Sequence, residues 1–184
     1  MGQAMRFCLK VRHYEGDEYG HVNHTNYVHY LETARIEALD AVGLSVREMR
    51  RQGILAVAAD LSVKYYSPAS PGETLEIATH VREMRGARTV WVQEIREATS
   101  QRMVVTAEVT GAFMTEEGRP VRAPQAFREK LEPLFVSGGR GSVDASAASE
   151  PPGEPDRTVT ARFTCACVAG GLRGTFRSLL GRAR

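Results

Sequence analysis

Four strand-like runs in succession, preceded by a single long helix, constrain this chain more than any other feature. ILAVAADLSVKYY, TLEIATHVREM, RTVWVQEIREA and RMVVTAEVTGAFM each mix apolar and polar residues at a strand-like spacing. The breaks between them, SPASPGE, RGA and TSQ, carry the Pro, Gly and Ser that turns require. Strands joined by such short turns pair antiparallel. Upstream, RFCLKVRHY puts Phe7, Leu9 and Val11 on one face, as a half-buried strand does. Cys8 in that strand reads as a small buried hydrophobe.

Between the first strand and the other four lies the helical signal. Tyr27, Tyr30, Leu31, Ala34, Ala38 and Val42 recur at three-to-four spacing and make one stripe, which predicts a helix over residues 25–42. Glu32 and Arg35 fall on the opposite side, where they can pair at i,i+3. Gly43 stands where a left-handed residue usually ends a helix. SVREMRRQG then predicts a short helix opened by a capping box of Ser45 and Glu48. Only one of these helices is long enough to cover a sheet. The fold class is therefore α+β, a five-stranded antiparallel sheet wrapped around one long central helix. A lone curled sheet leaves an edge open, so at least a dimer that continues the sheet is expected.

Composition divides the chain near residue 136. Residues 1–136 carry continuous apolar periodicity and form the domain. Residues 137–184 begin with SGGRGSVDASAASEPPGEPD, a composition unable to bury enough apolar surface to offset ordering entropy, so a disordered tail is expected there. Of 24 basic and 22 acidic residues, seven arginines and four acids belong to that tail. The domain is then close to neutral, with no basic face for nucleic acid. No apolar run reaches the roughly 18 residues of a membrane span. The N-terminal stretch lacks the pattern of a signal peptide, and Arg6 stands where a myristoylation signal wants Ser or Thr, so a cytoplasmic protein is expected. Three cysteines, Cys8, Cys165 and Cys167, make no disulfide framework, and the C-x-C pair has no partner pair to complete a zinc site.

The chemistry concentrates in YEGDEYGHVNHTNYVHYLETAR, residues 14–35. A helix N-terminus presents unpaired N–H groups and a partial positive charge, which polarise a carbonyl oxygen placed there. A carboxylate at the mouth of the same turn, Asp17, is then a candidate nucleophile or general base. Gly20 allows a sharp turn and a close backbone approach to a ligand. Asn23 or Thr25 serves as N-cap, and His24 lends a backbone N–H. His21 and His24, three residues apart, suggest a metal only with further ligands nearby, and none accompanies them. The same residue types also suit an ordinary turn. No G-x-S-x-G elbow, phosphate-binding loop or dinucleotide fingerprint is present, and no cofactor is implied. Gly16 has no evident reason.

Tyr14-x-x-Asp17-x-x-Gly20-His21-Val22, followed by Tyr27, Tyr30, Glu32 and Ala34-Arg35, resembles the signature of hotdog-fold thioesterases of the 4-hydroxybenzoyl-CoA thioesterase-like family. The likeness is greatest to its Tol-Pal-associated acyl-CoA branch, and it extends to the plant-type acyl-ACP thioesterases. VKYYSPASPGETLEI, REMRGARTVWVQEI and EEGRPVRAP extend the likeness across roughly residues 6–134. The resemblance implies a hotdog fold and hydrolysis of an acyl-CoA or acyl-ACP thioester without a cofactor. It puts the catalytic carboxylate on Asp17 and the carbonyl-polarising N–H on His24. Gly20, His21, Val22 and Tyr27 then line the acyl site, with Asp60 and Ser62 facing it from a neighbouring subunit. Arg85 and Arg88 become candidates for the phosphates of CoA, and a homodimer or homotetramer is implied. Many relatives carry a second acid and a Thr where this chain has Glu15-Gly16. The other expectation consistent with the fold is a non-catalytic module that holds an acyl thioester or a protein partner.

Overall fold

Strand periodicity becomes an antiparallel meander at the centre of the sheet. The computed structural model describes residues 2–136 and 158–161. Strands β3 (Thr74–Arg85), β4 (Arg88–Glu97) and β5 (Met103–Thr115) are consecutive neighbours. β1 (Met5–Lys10) pairs outside β3, and β2 (Ile54–Tyr65) pairs outside β5, so both outer strands come from the N-terminal part of the chain. The five form the expected antiparallel sheet. Register shifts after Ala58, Val81 and Ile95 insert extra residues, and such bulges bend strands and increase their twist.

Helix α1 (His24–Ala41) packs on one face of this sheet. Its buried stripe is Tyr27, Tyr30, Leu31, Ala34, Ala38 and Leu39. Leu75, Ile77 and Val81 of β3, Trp91 and Ile95 of β4, and Val105 and Val109 of β5 belong to the same buried core. Each large aliphatic side chain removed from water in this way contributes about 1.5–3 kcal/mol. One polar group sits in the middle of the contact. The amide of Gln93, fully buried, donates to the Leu31 carbonyl (2.9 Å) and to Thr79 Oγ1 (3.0 Å), and accepts from Arg35 Nη1 (2.7 Å). Arg35 therefore turns inward to Gln93, and no ion pair with Glu32 forms among the described residues. The i,i+3 expectation is corrected for a physical reason: α1 touches the sheet over a wider arc than its apolar stripe, and β4 presents an acceptor there.

Other local expectations hold with amendments. Gly43 has φ +71° just beyond α1. Ser45 Oγ accepts from the Glu48 N–H (3.1 Å) at the start of α2 (Val46–Arg51). The reciprocal half of that box is not made, because the Glu48 carboxylate bonds Gln52 instead. Cys8 is exposed, not buried. Period-two alternation explains the difference: Phe7 and Leu9 turn inward against the core, so the residue between them turns out.

A third helix, α3 (Gln125–Leu131), and the single turn Glu132–Leu134 close one end of the core. Phe127 packs on Phe113 with ring centres 6.1 Å apart, and Lys130 Nζ donates to the Gly43 carbonyl (2.8 Å). A short strand β6 (Thr158–Ala161) pairs with residues 61–64 of β2 and makes the sheet six-stranded. These four residues belong to the segment expected to be disordered. The remainder of that segment, with Cys165 and Cys167, lies outside the described residues. Among the described residues no helix is long and apolar enough to cross a membrane.

Candidate active site at the start of the long helix

The loop between β1 and α1 is a small hairpin closed on itself. Gly16 and Val22 form an isolated antiparallel bridge. Inside it the Asp17 N–H donates to the His21 carbonyl (2.7 Å), and the Gly20 N–H donates back to the Asp17 carbonyl (3.0 Å). Gly20 has φ +75°, the left-handed conformation that glycine adopts at least cost. The Asp17 side chain caps the turn from above. Its Oδ1 accepts from the N–H groups of Tyr19 (2.9 Å) and His21 (3.3 Å). Oδ2 has no hydrogen-bond partner among the described residues, and the residue is exposed. One oxygen is thus fixed by backbone and the other is free for chemistry.

The helix begins directly after this hairpin. Asn23 is the N-cap: its Oδ1 accepts from the Thr25 N–H (3.0 Å) and Thr25 Oγ1 (2.8 Å). Between the two alternatives left open by the sequence, the structure chooses Asn23. The Asn26 N–H is taken by the Asn23 carbonyl (2.9 Å). The His24 N–H has no partner among the described residues, so the first turn of α1 offers one unpaired donor beside the hairpin. Tyr65 on β2 donates its hydroxyl to the His24 carbonyl (3.2 Å) and holds that turn to the sheet.

What the loop rests on was not legible beforehand. The Val22 N–H bonds the Ala69 carbonyl (2.8 Å), and Tyr27 Oη accepts from the Ala69 N–H (2.9 Å). The end of the hairpin and the first turn of α1 are therefore both docked on SPASPGE, the β2–β3 connection. That connection is itself clamped: Arg102 forks onto the Glu73 carboxylate (3.1 and 3.0 Å) and bonds Ser67 Oγ (2.8 Å) and the Pro68 carbonyl. Gly16 now has its reason. A Cβ there would stand 2.8 Å from Pro71 Cγ, closer than any ordinary contact. Only a residue without a side chain lets the hairpin lie on the proline.

Tyr27 is buried under the turn, edge-on to Tyr30 (6.0 Å) and Tyr65 (5.7 Å). Burial raises its hydroxyl above the usual tyrosine value, and the Ala69 bond opposes this in part. Burial likewise raises Tyr30 and Tyr65, with the Glu15 carboxylate adding to the effect at Tyr30. All three phenols remain protonated at neutral pH. His21 is exposed and Val22 buried, and both serve the turn through backbone atoms.

The remaining candidates sit elsewhere in the same chain. Leu61 and Val63 face the core, so Asp60, exposed, and Ser62, half-buried, lie on the opposite face of β2. Arg85 and Arg88 flank the β3–β4 turn, where Arg85 pairs with Glu83 (2.8 Å) and Arg88 bonds Thr110 Oγ1 (3.3 Å). The hairpin docks near the start of β3 while Arg85 ends it, a separation on the order of 35 Å along the strand. Within one chain, then, Asp17, Gly20, His21, Val22, His24 and Tyr27 come together, and Asp60, Ser62, Arg85 and Arg88 do not join them. Among the described residues no group of three or more His, Cys, Asp or Glu is arranged to hold a metal ion.

Comparison with known proteins bears on the same region. A family model described as the thioesterase-like superfamily matches residues 11–131. A chloroplastic acyl-acyl carrier protein thioesterase of Arabidopsis thaliana is 30% identical over 123 residues, an alignment covering 67% of this chain and 65% of the relative. The long-chain acyl-CoA thioesterase of Escherichia coli strain K12 is 28% identical over 131 residues, covering 71% of this chain and 98% of the relative. This chain spans just under two thirds of the Arabidopsis relatives it matches, 65% and 64% of two of them. Among solved structures, a probable thioesterase from Bartonella henselae superposes with a TM-score of 0.62 at 28% identity, covering 66% of this chain and 99% of that one. The 1,4-dihydroxy-2-naphthoyl-CoA thioesterase from Synechocystis, at 18% identity and a TM-score of 0.67, covers 71% of this chain and 97% of its own and shares the fold.

Proposed function

The chain belongs to the thioesterase-like superfamily and has its hotdog fold, and from that premise we propose that it hydrolyses acyl thioesters carried on CoA or acyl carrier protein. One observation carries the reading: the half-tethered Asp17 carboxylate lies in the hairpin that leads directly into α1, whose first turn presents the unpaired His24 N–H. The thioester carbonyl oxygen accepts from the His24 N–H, which is aided by the partial charge of the helix start. The free oxygen of Asp17 either attacks the carbonyl carbon or takes a proton from the attacking water. In the first route the C–S bond breaks as an acyl–Asp17 anhydride forms, the thiol leaves with a proton, and water then hydrolyses the anhydride. In the second the attacking water adds its oxygen to the acyl carbon as the C–S bond breaks and the thiol takes the proton. We further propose a cytoplasmic enzyme that acts as a homodimer or homotetramer. The exposed thiol of Cys8 suits a reducing compartment. Residues 54–60 of β2, which have no outer neighbour among the described strands, suit pairing with a second copy.

Release of free thiol from a panel of acyl-CoA and acyl-ACP substrates tests the reading. Asp17→Asn, which keeps the Oδ1 acceptor, is expected to lower kcat by about 10²-fold or more. A variant as fast as the native chain refutes the role of Asp17. A native chain inert on every thioester in the panel leaves a non-catalytic acyl-binding module instead.

A further inference from the structure

A cavity lies farther along α1 from the Asp17 hairpin, on the side facing β2, β4 and β5. Its volume is about 180 Å³, comparable to the ~150 Å³ that admits a benzene-sized group. Leu39, Trp91, Val109 and Phe113 form apolar wall, and Gly111 keeps the space open. A Cβ on Gly111 would stand 2.7 Å from Thr89 Oγ1 and 3.7 Å from Trp91 Nε1. The Trp91 N–H is already given to Thr89 Oγ1 (3.2 Å).

Among the described residues, two charged side chains touch this space, Glu32 and Arg35. Arg35 is the unusual one. Its Nη1 donates to Gln93, and its other N–H groups have no acceptor among the described residues. No carboxylate lies within ion-pair distance of it among those residues. Removal from water brings its guanidinium down to about 10, a cost that the field of Glu32 only partly offsets. A half-buried cation with no carboxylate beside it is better held when something anionic visits it.

We propose that this cavity binds a short apolar chain ending in a carboxylate, with Arg35 as the counter-ion. Arg35 is the cationic donor on a largely apolar wall, so a ligand with an anionic acceptor at one end and an apolar length suits it. Two sources present that chemistry: a free carboxylic acid such as the hydrolysis product, or the distal carboxylate of a dicarboxylic acyl thioester. The use of the cavity in turnover rests on the thioesterase reading; its binding of a carboxylate does not. Along the helix, Arg35 lies eleven residues from His24, about 16 Å, the span of an acyl chain of about a dozen carbons.

Trp91 is the single tryptophan of the chain, so its fluorescence reports the cavity directly. Hexanoate is expected to change the emission saturably, and hexanol to bind at least tenfold more weakly. Arg35→Met should abolish that difference while hexanol binding stays. Arg35→Gln, which keeps a donor for Gln93 without the charge, replaces it if the Met variant does not fold. Hexanol binding as well as hexanoate to the native chain, or hexanoate binding unchanged in the variant, overturns the proposal. So does the absence of any fluorescence response. Turnover then separates the two sources. A tenfold preference in kcat/KM for the CoA monothioester of dodecanedioic acid over dodecanoyl-CoA, lost in the variant, assigns the distal carboxylate. Inhibition by hexanoate without that preference assigns the free acid. If neither thioester is hydrolysed, the proposed function fails, and the fluorescence titration still decides the cavity.

Discussion

Replacing Gly16 with alanine adds one methyl group at the point where the Asp17 hairpin lies on Pro71. The backbone there is ordinary, with φ −78°, so strain comes from space alone. The new Cβ would stand 2.8 Å from Pro71 Cγ and 3.6 Å from both Pro71 Cδ and the His13 carbonyl oxygen. Carbon atoms rest about 3.5–4.0 Å apart, so hairpin and ring must separate by about 1 Å. Overpacking of this kind costs about 1–3 kcal/mol, or roughly 4–12 °C in Tm for a domain of this size. If Asp17 acts as proposed, a shift of that size at its carboxylate should lower kcat by about 10- to 100-fold. Pro71→Ala removes the opposing carbons, so the double variant should recover most of both losses, with a coupling of about 1 kcal/mol or more. Thermal melts and thiol-release kinetics on all four proteins complete the cycle, which also cancels the effect of Pro71 on the unfolded chain. Native kcat and Tm in Gly16→Ala, or a double variant no better than the single, would refute the packing argument.

Two further outcomes are expected. The Glu97 carboxylate accepts from the Ser100 hydroxyl and N–H (both 2.6 Å) and the Thr99 N–H (3.0 Å), which holds its carboxyl at about 2, against an ordinary 4.5. A depressed carboxylate stabilises the fold above its unfolded value and loses that effect as pH falls through its folded value. Glu97→Gln should therefore be the less stable protein in denaturant titrations at pH 7, with the gap closing between about pH 4.5 and 2; a gap independent of pH contradicts the assignment. The second concerns Cys8, whose exposed side chain should be modified in the native protein as fast as a model thiol when followed by peptide mapping. Cys8→Ser should shift stability by no more than about 0.5 kcal/mol, and slow modification or a larger loss would return Cys8 to the core.

The frame of the fold was readable because its signals are local. Alternation placed five strands, three-to-four spacing placed α1 within a residue at each end, and Gly43 marked where it stops. The turn carrying Asp17 was readable for the same reason, since Gly20 and Asn23 act within their own few residues. What escaped depends on partners far away in the chain. Gly16 answers to Pro71, Tyr27 to Ala69 and Arg35 to Gln93, and no periodicity within α1 or the loop contains those neighbours. Cys8 is the exception, because its placement is itself local: with Phe7 and Leu9 turned to the core, period-two alternation turns the residue between them out. Helix α3 is seven residues long, too short to declare itself by spacing.

Gln93 has a mechanical consequence for α1. A helix and a sheet that meet only through methyl groups slide past one another cheaply, because one methyl substitutes for another. An amide does not allow this. Moving α1 by a single residue, about 1.5 Å, would pull the Leu31 carbonyl and the Arg35 guanidinium at once off the same fully buried side chain. Gln93 thus works like a key in a shaft, fixing both how far the helix is inserted and how it is rotated. The position of its first turn is set from the middle of the sheet, two turns away from the hairpin it serves.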